Sequence, residues 1–385
     1  MNSSSLTVDA NSTSGDSKDE GNRRVLSIQS HVVSGYVGNK AAVFPLQLLG
    51  FEVDVINSVQ FSNHTGYPSG WEGEVLDGSM LRQLVGGMDR NGLLSSESDS
   101  GGIGNILTGY IGSESFLRAV VSVVQKLKDL NPKCRYICDP VLGDMGKFYV
   151  PKELVDIYRR DVLPLADVIT PNQFEVEQLT GISIQSMKDA QHACSILHDL
   201  GVSLVLITSI VFPDARSDDC NASTDFLKPP SNDSIGMFAS QRQYSSQSMQ
   251  QLHNVHHPSI QEEHNTEHND EQYILYTPRL DGQFTGTGDV CAALFLGWTA
   301  ENDHDNENGD SYLACALEKL ASTMQAIVQR TATAAAKKQS SSSSIEKAKI
   351  VSSRELQLIQ SREDILHPVR TFRALRVQCN VCKPS

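Results

Sequence analysis

Short apolar runs alternate along this chain with longer stretches in which apolar residues recur every third or fourth position. Arg24 to Gln29 is the first run, and its Val25, Leu26 and Ile28 predict a buried strand. A glycine-containing turn, Gly35 to Gly38, leads into a predicted helix from Lys40 to Leu49, closed by Gly50. Phe51 to Ile56 predicts the next strand. Strand, helix, strand with short connections is the mark of a parallel βαβ unit. The rhythm continues with strands at Ile106 to Tyr110, Arg135 to Asp139, Asp167 to Thr170 and Val205 to Thr208. Between them lie helices from Ser115 to Leu130, from near Gln173, and from Met187 to Leu200, where Ser186 and Asp189 form an acidic capping box. Order resumes at Gln272 to Thr277. Val290 to Trp298, apolar nearly all round, predicts a buried helix. Tyr312 to Thr331 is amphipathic, and Glu355 to Gln360 predicts a last helix. In such sheets functional residues gather beyond the carboxyl ends of the strands, which is where Ser30, Asp139, Thr170 and Thr208 fall.

Some stretches break the pattern. Residues 86–105 are rich in Gly and Ser and predict a flexible loop; 332–346 is a low-complexity Ala/Ser segment. The longest break, 214–271, is dominated by Ser, Gln, Asn, His and Asp, too few apolar residues to offset the entropy of ordering, and predicts a disordered insertion. Its His253, His256, His257, His264 and His268 lack the regular spacing of a metal site. Residues 1–22 predict a disordered tail with no apolar centre, and 371–385 a second tail, leaving one domain over 23–370.

Composition narrows the functional classes. The formal net charge of −14 opposes nucleic-acid binding, and no apolar run nears the roughly 20 residues that span a bilayer. The eight cysteines are scattered, several in apolar runs, as in a reduced cytosolic protein; Cys379 and Cys382 make a CxxC, half of a zinc site.

Chemistry concentrates in three places. Thr285 to Asp289 carries glycines at alternate positions and runs into the apolar helix. Helix N-termini present unpaired N–H groups and a partial positive charge, so this turn suits phosphate oxygens, with Asp289 poised to accept a proton from an attacking hydroxyl. Asp289 as a plain helix cap is the other reading, and the residues alone leave both open. No GxxxxGK[ST] loop exists, and Cys291 stands where a dinucleotide fingerprint needs its third glycine. Asp139-Pro140, Gly143-Asp144 and Thr170 to Glu175 place carboxylates at strand ends, suited to a hydrated metal and its phosphates, although Asn172 also fits as the cap of the helix holding Glu175. Ser30 and His31, Gly35 to Asn39, and Val59 to Tyr67 mix aromatics with polar groups, as a pocket for a flat heteroaromatic ligand does.

These segments, in order, resemble the pyridoxal kinases of the ribokinase-like superfamily: Arg24 to Asn39, Asn57 to Tyr67, Leu107 to Ile111, Cys138 to Asp144, Pro164 to Glu175, Gly286 to Asp289 and Glu355 to Ser361. The Gly286 to Asp289 turn marks only the superfamily; Ser58 to Tyr67 is far more specific. The resemblance implies a three-layer α/β/α sandwich and ATP-dependent phosphorylation of pyridoxal, pyridoxine and pyridoxamine. It implies that Ser30 and Thr65 bond the pyridine ring, with Val37, Phe61, His64 and Tyr110 lining the pocket. Asp139, Tyr149, Asn172, Thr208, Ser209 and Thr287 would face the nucleotide, and Asp144 and Glu175 would attend Mg²⁺. Asp139, Thr170 and Thr208 would hold K⁺ or Na⁺, with Asp289 the base and Gly286, Thr287 and Gly288 shaping the anion site. A cytosolic homodimer is also implied. The connection Met145 to Phe148 is shorter than in the animal members it otherwise resembles, leaving open how this region covers the site. A hydroxymethylpyrimidine or sugar kinase of the same superfamily is the competing enzyme, and a non-catalytic vitamin-binding protein the competing class. A sugar kinase should carry Gly-Gly where Ser30-His31 stands, and a binder should lack Asp289, Asp144 or Glu175.

Overall fold

The computed structural model describes residues 23–94, 102–212, 229–231, 233–242, 270–300, 311–337 and 344–378. Residues 1–22, the five histidines of the insertion, and Cys379 and Cys382 lie outside these.

Six parallel strands form the centre of a ten-stranded sheet: β1 (Arg24–Val32), β2 (Glu52–Phe61), β4 (Asn105–Thr108), β5 (Arg135–Cys138), β8 (Val168–Ile169) and β9 (Leu204–Ile210). Antiparallel strands flank them: β3 (Gly73–Val75) beside β2, and β10 (Ser234–Gln241), β11 (Glu271–Pro278) and β12 (Leu375–Arg376) beyond β9. The spatial order is β12-β11-β10-β9-β8-β5-β4-β1-β2-β3. A separate hairpin pairs β6 (Gly143–Asp144) with β7 (Lys147–Phe148).

The central strands β1, β4, β5, β8 and β9 are apolar on both sides because they are buried on both faces, whereas β2 and β3 at the edge carry exposed positions. Successive residues serve opposite cores. Leu26, Ile106, Tyr136, Ile169, Val205 and Ile274 face one way; there they meet α2 (Gly78–Arg90), α3 (Glu114–Leu130), α4 (Leu154–Ile157), α5 (Gln173–Thr180) and α6 (Met187–Asp199). Val25, Leu107, Ile137, Val168, Leu206 and Leu275 face the other way, toward α1 (Asn39–Leu48), α7 (Thr287–Ala300) and α8 (Tyr312–Ala336). The result is the expected three-layer α/β/α sandwich. Helix α7 is buried without a break from Val290 to Thr299, as its unpatterned apolar sequence requires.

Several expected boundaries are corrected. The loop expected at 86–105 is helical through Arg90: the Asp77 carboxylate accepts the Ser79 and Met80 N–H groups, and Leu81 and Val85 are buried, which outweighs Gly86 and Gly87 in the helix interior. The expected disordered insertion contains β10, an internal strand between β9 and β11. Its polar residues are satisfied: buried Ser240 bonds His198 Nε2 at 2.9 Å and accepts from Gln272 at 3.1 Å. Helix α8 continues to Ala336, into the 332–346 segment, and α9 (Ser344–Ser353) begins inside it. The 371–385 tail contributes β12 and the buried Val377. Glu355 to Gln360 does not form a helix; the turn from Ile359 to Ser361 leads instead into α10 (Arg362–Leu366).

Candidate active site

The Gly286 to Asp289 turn rests on bare backbone. Gly286 has φ +89°, and a Cβ there would lie 2.0 Å from the Tyr36 carbonyl oxygen. Gly38, at φ +54°, would bring a Cβ within 1.9 Å of the Ser30 carbonyl oxygen. Only glycine allows the end of β1, the Gly35 to Gly38 turn and the Gly286 turn to stack this closely. The stacking brings the Gly38 N–H to Asp289 Oδ2 at 2.7 Å. Asp289 stands in the first turn of α7. Burial pushes its carboxyl up to about 6, although the Gly38 bond favours the charged form. Its carboxylate therefore ties to a neighbouring turn, beyond what a helix cap needs. On the far side of the turn, Asp139 Oδ2 lies 3.5 Å from where a Cβ on Gly288 would be.

On the β1–β2 side, Val37 and Phe61 pack with Val32 and Val59 in one small apolar cluster, with half-buried Tyr110 against it. Phe61 stacks on Trp71 at 3.9 Å, a partner the sequence pattern did not single out. Ser30 is half-buried at the edge of this cluster's strand. His64 is buried with both ring nitrogens occupied: Nδ1 accepts the Gly66 N–H at 3.1 Å and Nε2 lies 3.2 Å from Glu355 Oε1. Thr65 is exposed, next to buried His64 in the loop after β2. Beneath the Gly38 turn sits buried Asn39. It accepts from Ser27 Oγ at 2.7 Å and donates to the Ile56 carbonyl at 3.0 Å, the Asn57 side chain at 2.9 Å and the Gln29 carbonyl at 3.3 Å.

On the β5–β8–β9 side, Asp139 and Thr170 directly follow the ends of β5 and β8, whereas Thr208, expected at a strand end, lies inside β9, which runs on to Ile210. Asp139 is only 5% exposed. Burial, then the neighbouring charges of Glu175 and Asp289, hold its carboxyl well above the usual range. Glu175 is pushed up to about 8 by its burial, against the pull of three backbone N–H groups. Those donors are Leu142 at 2.9 Å, Gly143 at 3.4 Å and Asn172 at 2.9 Å. The Asn172 side chain accepts from Glu175 N–H at 2.9 Å and donates to the Gly143 carbonyl at 2.8 Å. Its amide is thus consumed by the capping box and the hairpin, and the cap reading describes it. Thr170 Oγ1 is buried beside Asp139 and tempers the rise of its carboxyl, without making a hydrogen bond of ordinary geometry. The Thr208 hydroxyl donates to the Pro171 carbonyl at 3.4 Å, and Ser209 is half-buried beside it. Thr287 Oγ1 donates to the Phe284 carbonyl at 3.3 Å.

Asp144 opens the β6–β7 hairpin and accepts the Met145 N–H at 2.7 Å. Met145 and Gly146 both have positive φ, 48° and 76°, the geometry of a two-residue hairpin turn. The short connection is therefore a tight hairpin, with Tyr149 following it, 57% exposed. Among the described residues no group of three His, Cys, Asp or Glu side chains is arranged to hold a metal directly.

A family model for phosphomethylpyrimidine kinase matches residues 95–247. Over nearly the whole length, the chain is 44% identical to the pyridoxal kinase of Arabidopsis thaliana, covering 92% of this chain and 94% of that one. It is 39% identical to the pyridoxal kinase of Homo sapiens, covering 90% and 96%. The chain belongs to the pyridoxal kinase family. Among solved structures, a Leishmania donovani pyridoxal kinase in complex with ADP and pyridoxamine aligns with a TM-score of 0.70 and 30% identity, over 92% of this chain and all of that one. In this chain the Ser30, Gly38 and Asp289 segments converge although they are drawn from opposite ends of the sequence. Glu355, on the C-terminal side of that junction, was legible in the sequence only as part of a matching segment.

Proposed function

We propose that the chain phosphorylates the 5′-hydroxymethyl group of pyridoxal, and of pyridoxine and pyridoxamine, from ATP, with Asp289 accepting the hydroxyl proton. The observation that carries this is Asp289 at the N-terminus of α7, its carboxylate raised to about 6 and oriented by the Gly38 N–H. An alcohol is far too weak an acid for such a group to ionise beforehand. In a loose phosphoryl transition state, orientation and late proton acceptance suffice. The N–H groups of Gly286 to Asp289 supply positive potential where the transferring phosphoryl gathers charge. Val37, Phe61 and Tyr110 offer the ring an apolar bed, Ser30 and Thr65 its hydrogen bonds, and Asp139, Thr208, Ser209, Thr287 and Tyr149 the nucleotide side.

An ATP-dependent kinase works with a divalent metal, here read as Mg²⁺. Asp144 and Asp139 fit it through its waters, because Mg²⁺ keeps much of its hydration shell and takes one or two carboxylates. Glu175, whose oxygens accept three backbone N–H groups, shapes that side rather than offering a bare ligand. Buried Thr170 Oγ1 beside the crowded Asp139 carboxylate suits K⁺ or Na⁺, with Thr208. These cations would neutralise phosphate charge.

A homodimer is part of the proposal: Val33, Val55, Trp71 and Val75 are exposed around the β2–β3 edge. No helix among the described residues is long and apolar enough to cross a membrane, and buried free thiols at Cys134, Cys138, Cys194 and Cys291 suit the cytosol. The phosphomethylpyrimidine kinase match keeps hydroxymethylpyrimidine as the second substrate to test. Purified chain is assayed with ATP, with and without K⁺, on pyridoxal, pyridoxine, pyridoxamine, hydroxymethylpyrimidine and ribose. Pyridoxal phosphate formation, stimulated by K⁺, is expected; turnover confined to hydroxymethylpyrimidine or ribose would sink the reading.

A further inference from the structure

We propose that Glu355 is a positioning residue that ties together the two loops of the vitamin pocket, one carboxylate oxygen to each. The proposal rests on the pyridoxal kinase reading given above. Glu355 Oε2 accepts the Tyr36 N–H at 2.9 Å, on the Gly35 to Gly38 turn. Its Oε1 accepts the Tyr67 hydroxyl at 3.1 Å and faces His64 Nε2 at 3.2 Å, on the loop after β2. The carboxylate also fills the space of a missing side chain, because a Cβ on Gly35 would lie 2.5 Å from Oε1 and 2.6 Å from Oε2. Burial works against the charge, but His64 and the Tyr36 N–H outweigh it and hold the carboxyl below its usual range.

The two oxygens act on different things. His64 Nδ1 accepts the Gly66 N–H, so that nitrogen carries no proton and the ring is the Nε2–H tautomer. That proton points at Glu355 Oε1, which therefore fixes the plane and tautomer of His64 behind the pocket. The other oxygen holds Tyr36, whose carbonyl supports Gly286 and whose turn carries the Gly38 N–H to Asp289. Glu355 touches no reacting atom. It governs where the loop after β2 and the Gly35 to Gly38 turn, whose Gly38 N–H orients the base, stand relative to each other.

The full-length chain is compared with Glu355→Gln, Glu355→Ala, His64→Ala and the double variant Glu355→Gln/His64→Ala. Steady-state constants are measured for pyridoxal and ATP separately, with Tm recorded for each protein. Glutamine keeps an oxygen for the Tyr36 N–H but turns an NH₂ toward the Tyr67 hydroxyl, which can rotate to accept it, and toward the His64 Nε2–H, which cannot. Glu355→Gln is therefore expected to raise the KM for pyridoxal roughly tenfold, with the ATP KM and kcat moving less than about twofold. Alanine releases both oxygens, and kcat is expected to fall as well, roughly tenfold. In the His64→Ala background the Glu355→Gln effect on KM should largely vanish, because it acts through His64. An active wild type whose Glu355→Gln variant keeps its pyridoxal KM, raises both KM values equally, or acts additively with His64→Ala overturns the proposal alone. If Glu355→Ala does not fold, the glutamine variant and the cycle still decide. A wild type that leaves pyridoxal unphosphorylated overturns instead the family reading beneath it.

Discussion

The two sides of the cleft differ in the charge that surrounds their buried polar groups. On the β1–β2 side, His64, Asn39 and Glu355 each spend their hydrogen-bonding atoms on named partners within the chain. On the β5–β8–β9 side, Asp139 and Glu175 crowd together with Asp289. The charges acting on Asp139 are all negative, and its carboxyl is raised accordingly. The first side is organised by the protein itself. The second is electrostatically strained in a way that added positive charge relieves. A flat vitamin ring calls for the former, and a polyphosphate with its cations for the latter.

Asp289 stands on the seam between these sides, and its removal should have the largest effect. Asp289→Ala is expected to lower kcat at least roughly a hundredfold with little change in the KM for ATP; steady-state kinetics returning near-normal turnover would remove it as the base. On the self-satisfied side, Asn39→Ala strips partners from buried Ser27 and from the Ile56 and Gln29 carbonyls. It should cost about 2–4 kcal/mol of stability in urea unfolding, and a cost near zero would mean that this side is not held by its network.

The next effect is a pH limb. A base raised to about 6 is protonated and idle below that pH, so log kcat/KM for pyridoxal should fall by about one per pH unit below roughly 6. A profile flat down to pH 4.5 would place the working pKa elsewhere.

The smallest effect sharpens the contrast by its sign. Glu175 has a folded pKa of about 8 against an ordinary value of 4.5. The folded state therefore binds this proton more tightly than the unfolded chain does. The associated stability is full below the ordinary value and is lost as pH rises through about 8. Neutral Glu175→Gln escapes that loss. Its Tm, without ligands, should match wild type near pH 5 and exceed it near pH 8.5, while its KM for MgATP rises. A Tm below wild type at both pH values would show that Glu175 matters as a hydrogen-bond hub alone.

Much of this was legible in the sequence, and the failures share a cause. Val25-Leu26 and Ile106-Leu107 betrayed a two-faced parallel sheet because burial on both sides leaves an unbroken apolar run. The Asn172 and Ser186 capping boxes were legible because capping is local. Strand β10 was not: its Gly236 and Ser240 gain their place only from β9, β11 and His198, distant partners that no local window contains. Helix α2 was hidden by Gly86 and Gly87, whose propensity is overridden by docking of Leu81 and Val85. In the site, glycines at turns announced close backbone approach, but not which backbone. That Gly286 rests on Tyr36, and Gly38 on Ser30, is a tertiary fact.

The bond between Glu355 and Tyr36 spans 319 positions of sequence. At roughly 5–20 residues per second on a ribosome, tens of seconds pass between the emergence of the two partners. Through that interval β1 and β2 can pair and their loops can form local bonds, but the carboxylate that joins Tyr36 to Tyr67 is missing. A nascent chain that stops before Glu355 carries nearly every residue of the cleft but lacks the carboxylate that bonds Tyr36 and Tyr67. If Glu355 positions the two loops as proposed, the pocket is finished only when synthesis is nearly complete.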